Sequence, residues 1–505
     1  MKRYLYFIFF FLSLHFGTYS NNLYGQTVLE ILSESQHLVT QKKIKTAYSK
    51  IKPFALKHPE SFDLQQYAAQ LAYWNWDISA AKKFFRQAIV LHPDELSTGR
   101  DYAKMLVALG EYTQAIPLLK QYLQTDPMNE EAVLYYIKAL YYKGDLSKAI
   151  HEINALPKVL KGSKSIISLK KEIVINAGFN LSLEVNYTSD DQPLMTLSPT
   201  VQISKSHSAL LNWRVQGSSY NFDANQAHTN AYTAKIGNTT KLDQTHTSIS
   251  ADAGFSNLSM AQSTQFVGGI EVQQRILKHF FIELSATRKP YFFSSASTQT
   301  TVLYNSLQVA IALNNFYGIT GKLQAEQQQF NDHNQINNYA GWLLSPGLKK
   351  LWINGKLGLS YQYANAHTNH YTPTITVDSF VANYDSSRTI PAKYIPYFTP
   401  QQQSILSFLL WLEIKPIKHL SFISSASYPL IASLENPYFF LNNGGNNTLY
   451  FEKSSSKQSF KPITLKADLR YHPSNRWEVG LGYEYLKNYF FEAHYFHLTM
   501  SLHGL

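Results

Sequence analysis

The chain has 505 residues and no cysteine, and its 45 Lys and Arg outnumber its 34 Asp and Glu, which gives a formal net charge of +11. The lack of cysteine excludes disulfides, thiolate metal sites and a lipid attached to an amino-terminal cysteine. The length exceeds that of one ordinary domain, so we expect two. No interleaving of aromatic and basic residues indicates nucleic-acid binding, so no nucleic-acid partner is expected.

Residues 1–25 have the pattern of a secretory signal peptide. Lys2 and Arg3 form a positive start, the run 5–16 is a short apolar segment, and polar residues then lead to Gly25. This order is typical of a cleaved signal, and a retained helical anchor is the alternative. Beyond residue 25 no run of about 18 apolar residues occurs, so a membrane location would have to come from strands.

A repeat of 34 residues runs through the predicted domain 26–172. Alanines and prolines recur at this spacing, and the pattern is similar to the tetratricopeptide repeat (TPR). The alanine is the small residue where two helices cross, and the proline ends the second helix of each pair. The signature residues are Ala47, Pro59, Ala81, Pro93, Gly110, Ala115, Pro127, Gly144 and Ala149. We predict four repeats, with helix pairs over 28–57, 62–91, 96–125 and 130–156.

Stacked repeats leave a concave groove that suits an extended ligand or a protein partner, so this half is interpreted as a docking module rather than an enzyme. Seven aromatic residues are candidates for that groove, although most are expected to be interhelical core: Tyr67, Tyr73, Trp74, Tyr135, Tyr136, Tyr141 and Tyr142. The lysine-rich run 42–57 is interpreted as a solvated helix face, with contact to an acidic partner or anionic glycan as the alternative.

In residues 176–505 apolar residues recur at every second position, instead of at the spacing of a helix. In the run 406–414, Leu406, Phe408 and Leu410 share one parity with the other apolar residues, and similar runs recur to the end of the chain. A strand sends alternate side chains to opposite faces, so each run presents one apolar and one polar face. We predict a multi-domain chain, α then β: an N-terminal TPR α-solenoid followed by an antiparallel transmembrane β-barrel of about 16 strands, with 14 possible. A large soluble β-sandwich is the alternative.

The alternate positions that form the polar face of these strands include charged residues of both signs. The predicted pore-lining residues are Arg214, Glu283, Lys356, Lys466, Asp468, Arg470, Glu478 and Glu484. Mixed charge accompanied by tyrosines favours a neutral, hydroxyl-rich polymer over a simple ion. We expect short connections near Lys205, Pro416 and Pro473 on the periplasmic side, and the long connections 365–402 and 429–460 on the outside.

The sequence carries no phosphate-binding loop, zinc-protease helix or nucleophile elbow, so no catalytic residue, metal or cofactor is predicted. Asp332 and His333 could suggest a hydrolase dyad, but scattered loop histidines are far commoner. His497 and His503 share a strand face about 20 Å apart and cannot chelate one metal ion.

One motif before a strand carries a resemblance to a known family. Tyr397, Phe398, Thr399, Pro400 and Gln401 are similar to the aromatic-aromatic-Ser-Pro-Gln motif in the C-terminal barrel of the cellulose exporter, and the last hairpin follows the same order as in that barrel. With the repeats before it, the chain resembles the TPR-plus-barrel exporters of exopolysaccharide, namely cellulose synthase operon protein C and the poly-N-acetylglucosamine porin. The YaiO-like outer-membrane proteins are a second candidate family. We expect the motif at one rim of the barrel.

The resemblance implies a conduit for a polysaccharide chain through outer-membrane lipid. The TPR domain would lie in the periplasm and would guide the glycan or dock synthase or modifying proteins of the periplasm or inner membrane. Two alternatives stay open. The barrel could anchor a scaffold for envelope protein assembly, or it could be a general porin.

Overall fold

The computed structural model describes residues 27–505 except 209, 225–226, 243–244, 260–262, 385–388 and 445–447. The predicted signal peptide, residues 1–25, lies outside the described residues. The chain forms two compact units, one comprising residues up to 142 together with 151–167, the other comprising 143–150 and 168–505. The predicted domain limits at 172 and 176 stay a prediction.

The amino-terminal part is helical. Its helices are α1 (Val28–Thr40), α2 (Ile44–Lys57), α3 (Phe62–Trp74), α4 (Ile78–Leu91), α5 (Leu96–Ala108), α6 (Tyr112–Thr125), α7 (Glu130–Lys143), α8 (Leu146–Ala155), α9 (Lys158–Lys161) and α10 (Lys164–Ala177). The first eight form four consecutive pairs at the predicted positions. None of the described helices is long and apolar enough to cross a membrane.

The four alanines of the repeat are completely buried: Ala47, Ala81, Ala115 and Ala149. A methyl side chain lets two helices approach closely, and this explains why the sequence keeps a small residue at each position. The prolines Pro59, Pro93 and Pro127 follow the ends of α2, α4 and α6 by two residues. There, the missing N–H and the fixed backbone angle prevent the helix from continuing.

Each tight turn between paired helices has one residue with a left-handed backbone conformation, at the same position of every repeat. Lys42, Trp76, Gly110 and Gly144 are 34 residues apart, and each has a positive φ, of 61°, 64°, 81° and 105° respectively. Glycine adopts this conformation without strain, whereas other residues pay about 1–2 kcal/mol. The first two turns are therefore strained, and the last two are not.

Replacing Lys42 with glycine is expected to stabilise the helical part by about 0.5–1 kcal/mol, because the strain relieved at the turn exceeds the cost of the greater backbone entropy of the unfolded chain. Gly110→Ala, the matched opposite change, should destabilise it by a similar amount. Urea unfolding of the mature chain, followed by its helical circular dichroism, measures both. Effects of the same sign in the two variants would contradict the explanation.

The carboxy-terminal part is a sheet whose main strands close on themselves. The barrel strands are β1 (Phe179–Asp190), β2 (Leu194–Ser206), β3 (Leu211–Ala224), β4 (Ala227–Leu242), β5 (Thr247–Leu258), β6 (Ser263–Leu277), β7 (Phe280–Pro290), β8 (Leu303–Phe316), β9 (Ile319–Phe330), β10 (Gln335–Leu344), β12 (Ile353–Ala366), β15 (Gln403–Ile417), β16 (Leu420–Asn443), β18 (Ile463–Ser474), β19 (Trp477–Lys487) and β20 (Glu492–Leu502). Each pairs antiparallel with its neighbour, and β1 pairs with β20. The described residues thus form a closed 16-strand antiparallel barrel, which confirms the predicted fold class.

Shorter elements complete this part: β11 (Leu348–Lys350), β13 (Tyr371–Pro373), β14 (Ala392–Tyr394), β17 (Leu449–Ser459) and the helix α11 (Val377–Asn383). The connection predicted over 429–460 is not a loop. The strand β16 continues to Asn443 and pairs with β17, forming a hairpin that prolongs the sheet beyond the barrel. The turn expected at Lys205 is also displaced, because β2 includes Lys205 and the turn follows Ser206.

The two faces of the barrel differ in chemistry. On one face, apolar side chains such as Val215, Ile236 and Leu410 are 58%, 55% and 44% exposed. On the other face, polar and charged side chains pair across strands. A large exposed apolar surface on every strand is stable only against lipid, so the apolar face is the outside of a membrane barrel and the polar face is its interior.

Candidate functional site: the barrel interior and its loop-filled end

All eight predicted pore-lining residues lie on the interior face. Cross-strand partners share one face of the sheet. Arg214 of β3 is opposite Gly237 of β4, which is opposite Asp252 of β5, and the interior face can be followed around the barrel in this way. They do not form one cluster but are spread over β3, β7, β12, β18 and β19. Their role as a transport surface stays a prediction.

Most of these charged side chains are paired with groups on other strands. Glu283 accepts a hydrogen bond from Lys322 at 2.6 Å, and Lys466 lies 2.8 Å from Glu484. Arg214 lies 3.6 Å from Asp252. Other contacts involve Lys235 with Asp252, Lys356 with the Trp411 ring, His497 with Asp468 and His472 with Glu478. These partners lie on other strands, so the alternation within one strand could not reveal them.

The two ends of the barrel differ. The near end, where β1 begins and β20 ends, has short turns, for example between β15 and β16 and between β18 and β19. The opposite, far end has the connections 291–302 and 367–402. The segment 367–402 contains the paired strands β13 and β14 and the helix α11. The motif residues Tyr397 to Gln401 lie in this segment, directly before β15.

Tyr397 fixes the segment 367–402 to the end of β9. Its side chain is completely buried, and its ring stacks on Phe330 with 3.8 Å between ring centroids and 7° between planes. Its hydroxyl donates to both carboxylate oxygens of Asp332, at 2.9 and 2.8 Å. Burial, together with the hydrogen bond to Asp332, raises the pKa of Tyr397 above its ordinary value, so the phenol stays protonated and acts as donor.

Asp332 is therefore a structural anchor. Besides Tyr397, its carboxylate lies 3.6 Å from Nε2 of His370, while His333 follows in a turn with φ of 67°. The arrangement supports loop attachment rather than the hydrolase dyad that Asp332 and His333 could have suggested.

The other motif residues hold the same segment. Thr399 is completely buried, and its hydroxyl accepts from the His370 N–H at 2.9 Å. The Ala366 N–H donates to the Pro400 carbonyl at 2.7 Å, which brings the two ends of the segment together. Gln401 donates to the carbonyl of Ala366 at 3.2 Å.

The segment is also braced by the β16–β17 hairpin. Lys453 donates to the Asn369 carbonyl at 3.1 Å and to the Tyr371 carbonyl at 2.8 Å. The ring of Phe451 meets that of Phe380 in α11 at 5.8 Å. Extension of β16 beyond the barrel thus provides a wall against which the segment packs.

The loop segments lie inside the far end of the barrel. Phe292, from the connection after β7, contacts Tyr220 and Phe222 at 5.1 and 5.0 Å, and both of these belong to the interior face of β3. Three barrel strands, β4 to β6, lie between β3 and β7, so the connection crosses the interior to make these contacts. Phe330 is likewise an interior residue, and Tyr397 stacks on it.

The connection between β19 and β20 also contacts the segment 367–402. Phe490, between β19 and β20, lies 4.9 Å from Phe398 and 5.0 Å from Tyr394. The connections after β7, β12 and β19 thus converge on one aromatic layer. They surround a cavity of about 500 Å³ whose wall also includes interior residues of β1 to β4. The layer narrows the far end of the barrel.

In the helical part, the predicted groove aromatics have different environments. Tyr67, Tyr73, Tyr135 and Tyr136 pack against the buried core, and Tyr141 is buried. Trp74 is 51% exposed. A separate hollow of about 330 Å³ lies between α6, α7 and α8, with Tyr136 in its wall. Tyr142 is half-buried and stacks on Tyr112. Among these seven candidates, Trp74 therefore has the most exposed ring.

Residues 106–173 match the family model of the tetratricopeptide repeat. The helical part is a TPR region. The match spans α6 to α9 and most of α10, so it supports the repeat pattern in the second half of this part. No curated protein matches the chain significantly.

Solved structures with a similar fold fall into two groups. A "bacterial polysaccharide outer membrane secretin" is 10% identical, covers 65% of this chain and 99% of its own, and has a TM-score of 0.46. OccK3 (OpdO) of Pseudomonas aeruginosa is 8% identical over 65% of this chain and 95% of its own, with a TM-score of 0.34. A tetratricopeptide repeat protein from Parabacteroides merdae is 16% identical over 30% of this chain and 60% of its own, with a TM-score of 0.28.

The class of the protein follows from the geometry of the chain itself. TPR helices precede a closed barrel with an apolar outside and a polar inside. That is the architecture of an outer-membrane channel protein, and it fits the repeat-plus-barrel exporters. A 16-strand barrel is wide enough to hold an aqueous lumen, unlike one of eight strands.

Proposed function

We propose that the protein is an outer-membrane conduit for the export of an exopolysaccharide. The observation that carries the proposal is the interior face of the barrel, where charged residues of both signs pair with each other and leave hydroxyl and amide groups between the pairs. Arg214 with Asp252 and Lys466 with Glu484 are examples. Paired charges have little net field for an ion but offer hydrogen bonds to a hydroxyl-rich chain.

In this proposal the TPR domain lies in the periplasm and guides the glycan or docks the synthase or modifying proteins. Repeat arrays bind extended ligands and protein partners through their exposed surfaces. The near end of the barrel, with its short turns, would face the periplasm, and the far end with its longer connections would face outside. The chain's own role is then binding and passage rather than bond cleavage.

Liposome swelling with linear neutral glucans of increasing length tests the proposal. The mature protein and a variant with residues 368–398 replaced by a short glycine–serine turn would be reconstituted. The replacement is feasible because Ala366 and Pro400 are already hydrogen bonded. We expect the shortened variant to pass longer glucans than the unaltered protein.

A shortened barrel that passes no glucan would contradict the conduit. It would leave the anchored scaffold as the explanation, with the exposed surface of the TPR region as its functional part. Free passage of every small solute by the unaltered protein, without dependence on the segment 368–398, would instead indicate a general porin.

A further inference from the structure

The aromatic rings around the far-end cavity are not packed like a sealed plug. Phe292, Phe398 and Phe490 are half-buried, although all three lie inside the barrel, and Phe293 is 62% exposed. Tyr397, which anchors the same segment, has no exposed surface. The anchoring ring is thus fully buried, whereas the cavity rings keep part of their surface exposed. Partly exposed aromatic rings in the wall of a cavity can pack against a ligand.

One hydroxyl group in the wall of this cavity has no partner among the described residues. It belongs to Tyr394, whose oxygen is shielded from solvent and makes no hydrogen bond. Buried polar groups are nearly always paired, so an orphaned one in a cavity indicates a missing partner. Burial raises the pKa of Tyr394 above its ordinary value, so the group stays a donor at neutral pH.

The charges beside the cavity are already held by the protein. The Asp190 carboxylate accepts from the backbone N–H groups of Gln192 and Leu194, at 3.0 and 2.8 Å. Lys235 lies 3.3 Å from Asp252, and Lys289 lies over the Tyr304 ring at 5.3 Å. Asp190 and Lys289 carry opposite charges and Lys235 is paired, so the wall offers little net charge to an ionic ligand, whereas a neutral ligand needs none.

We infer that the far-end cavity is a binding site for a neutral hexopyranose segment of a glycan. A pyranose ring has apolar C–H faces that stack on aromatic rings and hydroxyl groups that accept from a phenol. The wall combines both features, with Phe398 and Phe490 as stacking rings and Tyr394 as donor. The volume of about 500 Å³ lies within the range of roughly 300–1,000 Å³ that is typical of small-ligand sites.

This inference rests on the proposed function, because it names the substrate class at the conduit's exit. Binding is measured apart from transport, by isothermal titration calorimetry of the full mature chain in detergent. The probes are cellohexaose and maltohexaose as neutral hexamers and the hexamer of galacturonic acid as a charged one. We expect at least one neutral hexamer to bind more tightly than the acidic hexamer.

Two variants locate the site. Tyr394→Phe removes only the unpaired hydroxyl and should weaken binding of the neutral hexamer roughly two- to tenfold, the value of one hydrogen bond. Phe490→Ala removes a stacking ring and should weaken it further. Tyr339→Phe, on the outer face of β10, is the control and should leave the affinity unchanged.

The result would be overturned if neither neutral hexamer bound more tightly than the acidic one. Unchanged affinity in both Tyr394→Phe and Phe490→Ala would also overturn it, since the sugar would then bind elsewhere. A barrel that binds the neutral hexamer at this cavity but passes no glucan in liposomes would support the site and contradict only the conduit.

Discussion

Replacing Tyr397 with alanine is expected to raise the current through single channels in planar lipid bilayers, with longer and more frequent open periods. The change removes the stacking on Phe330 and both hydrogen bonds to Asp332. Loss of a buried aromatic side chain costs about 3–5 kcal/mol. The equilibrium between attached and released states of the segment 367–402 should therefore shift roughly 150- to 4,000-fold towards release.

Tyr397→Phe is the matched control, because it keeps the ring and removes only the hydroxyl. The Asp332 side chain is 36% exposed, so solvent can replace the lost donor and the effect should be the smaller one. We expect a shift of about tenfold, the lower end for a hydrogen bond to a charged group. If both variants show the same current and open time as the unaltered protein, Tyr397 does not hold the channel in its narrowed state.

Replacing Leu410 with arginine is expected to destabilise the barrel by about 2–4 kcal/mol, the cost of an arginine facing lipid near the bilayer midplane. Leu410 lies in the middle of the apolar run of β15, opposite Leu357 of β12, and is 44% exposed on the outer face. Urea unfolding in lipid vesicles, followed by intrinsic fluorescence, measures the loss. Folding yield should fall with it.

Leu409→Arg tests the same chemical change one residue away. Leu409 points to the interior, where it is opposite Gly358, and an arginine there can reach water and the polar interior groups. We expect a cost of less than about 1 kcal/mol, together with a change in ion selectivity. Equal destabilisation by the two arginines would mean that the outer face of β15 does not contact lipid.

The repeat and the strands were predictable because their signals are local. Because each helix pair has the same length, its small residue and its proline recur at a fixed spacing. The four alanines at that spacing, from Ala47 to Ala149, are all buried. A strand in a barrel wall has two environments, so its sequence alternates, as in β15. The recurrence of such runs to the end of the chain predicted a barrel, and β1 pairs with β20.

The contacts within the interior were not predictable in the same way. Alternation places Arg214 and Glu283 on the polar face but does not say that Asp252 and Lys322 are their partners. The hairpin of β16 and β17 was missed because a strand that leaves the membrane loses its apolar face. Its residues Ser454 to Ser456 have the composition of a loop.

The two-part architecture, the face of each strand and the motif from Tyr397 to Gln401 can be recognised in the sequence, because periodicity and short motifs are properties of neighbouring residues. The role of the motif became visible only in the folded chain. Tyr397 reaches Phe330 and Asp332 across 65 residues of chain, and this contact folds the segment 367–402 into the barrel. Such a contact depends on how barrel closure brings distant strand ends together, which no local pattern encodes.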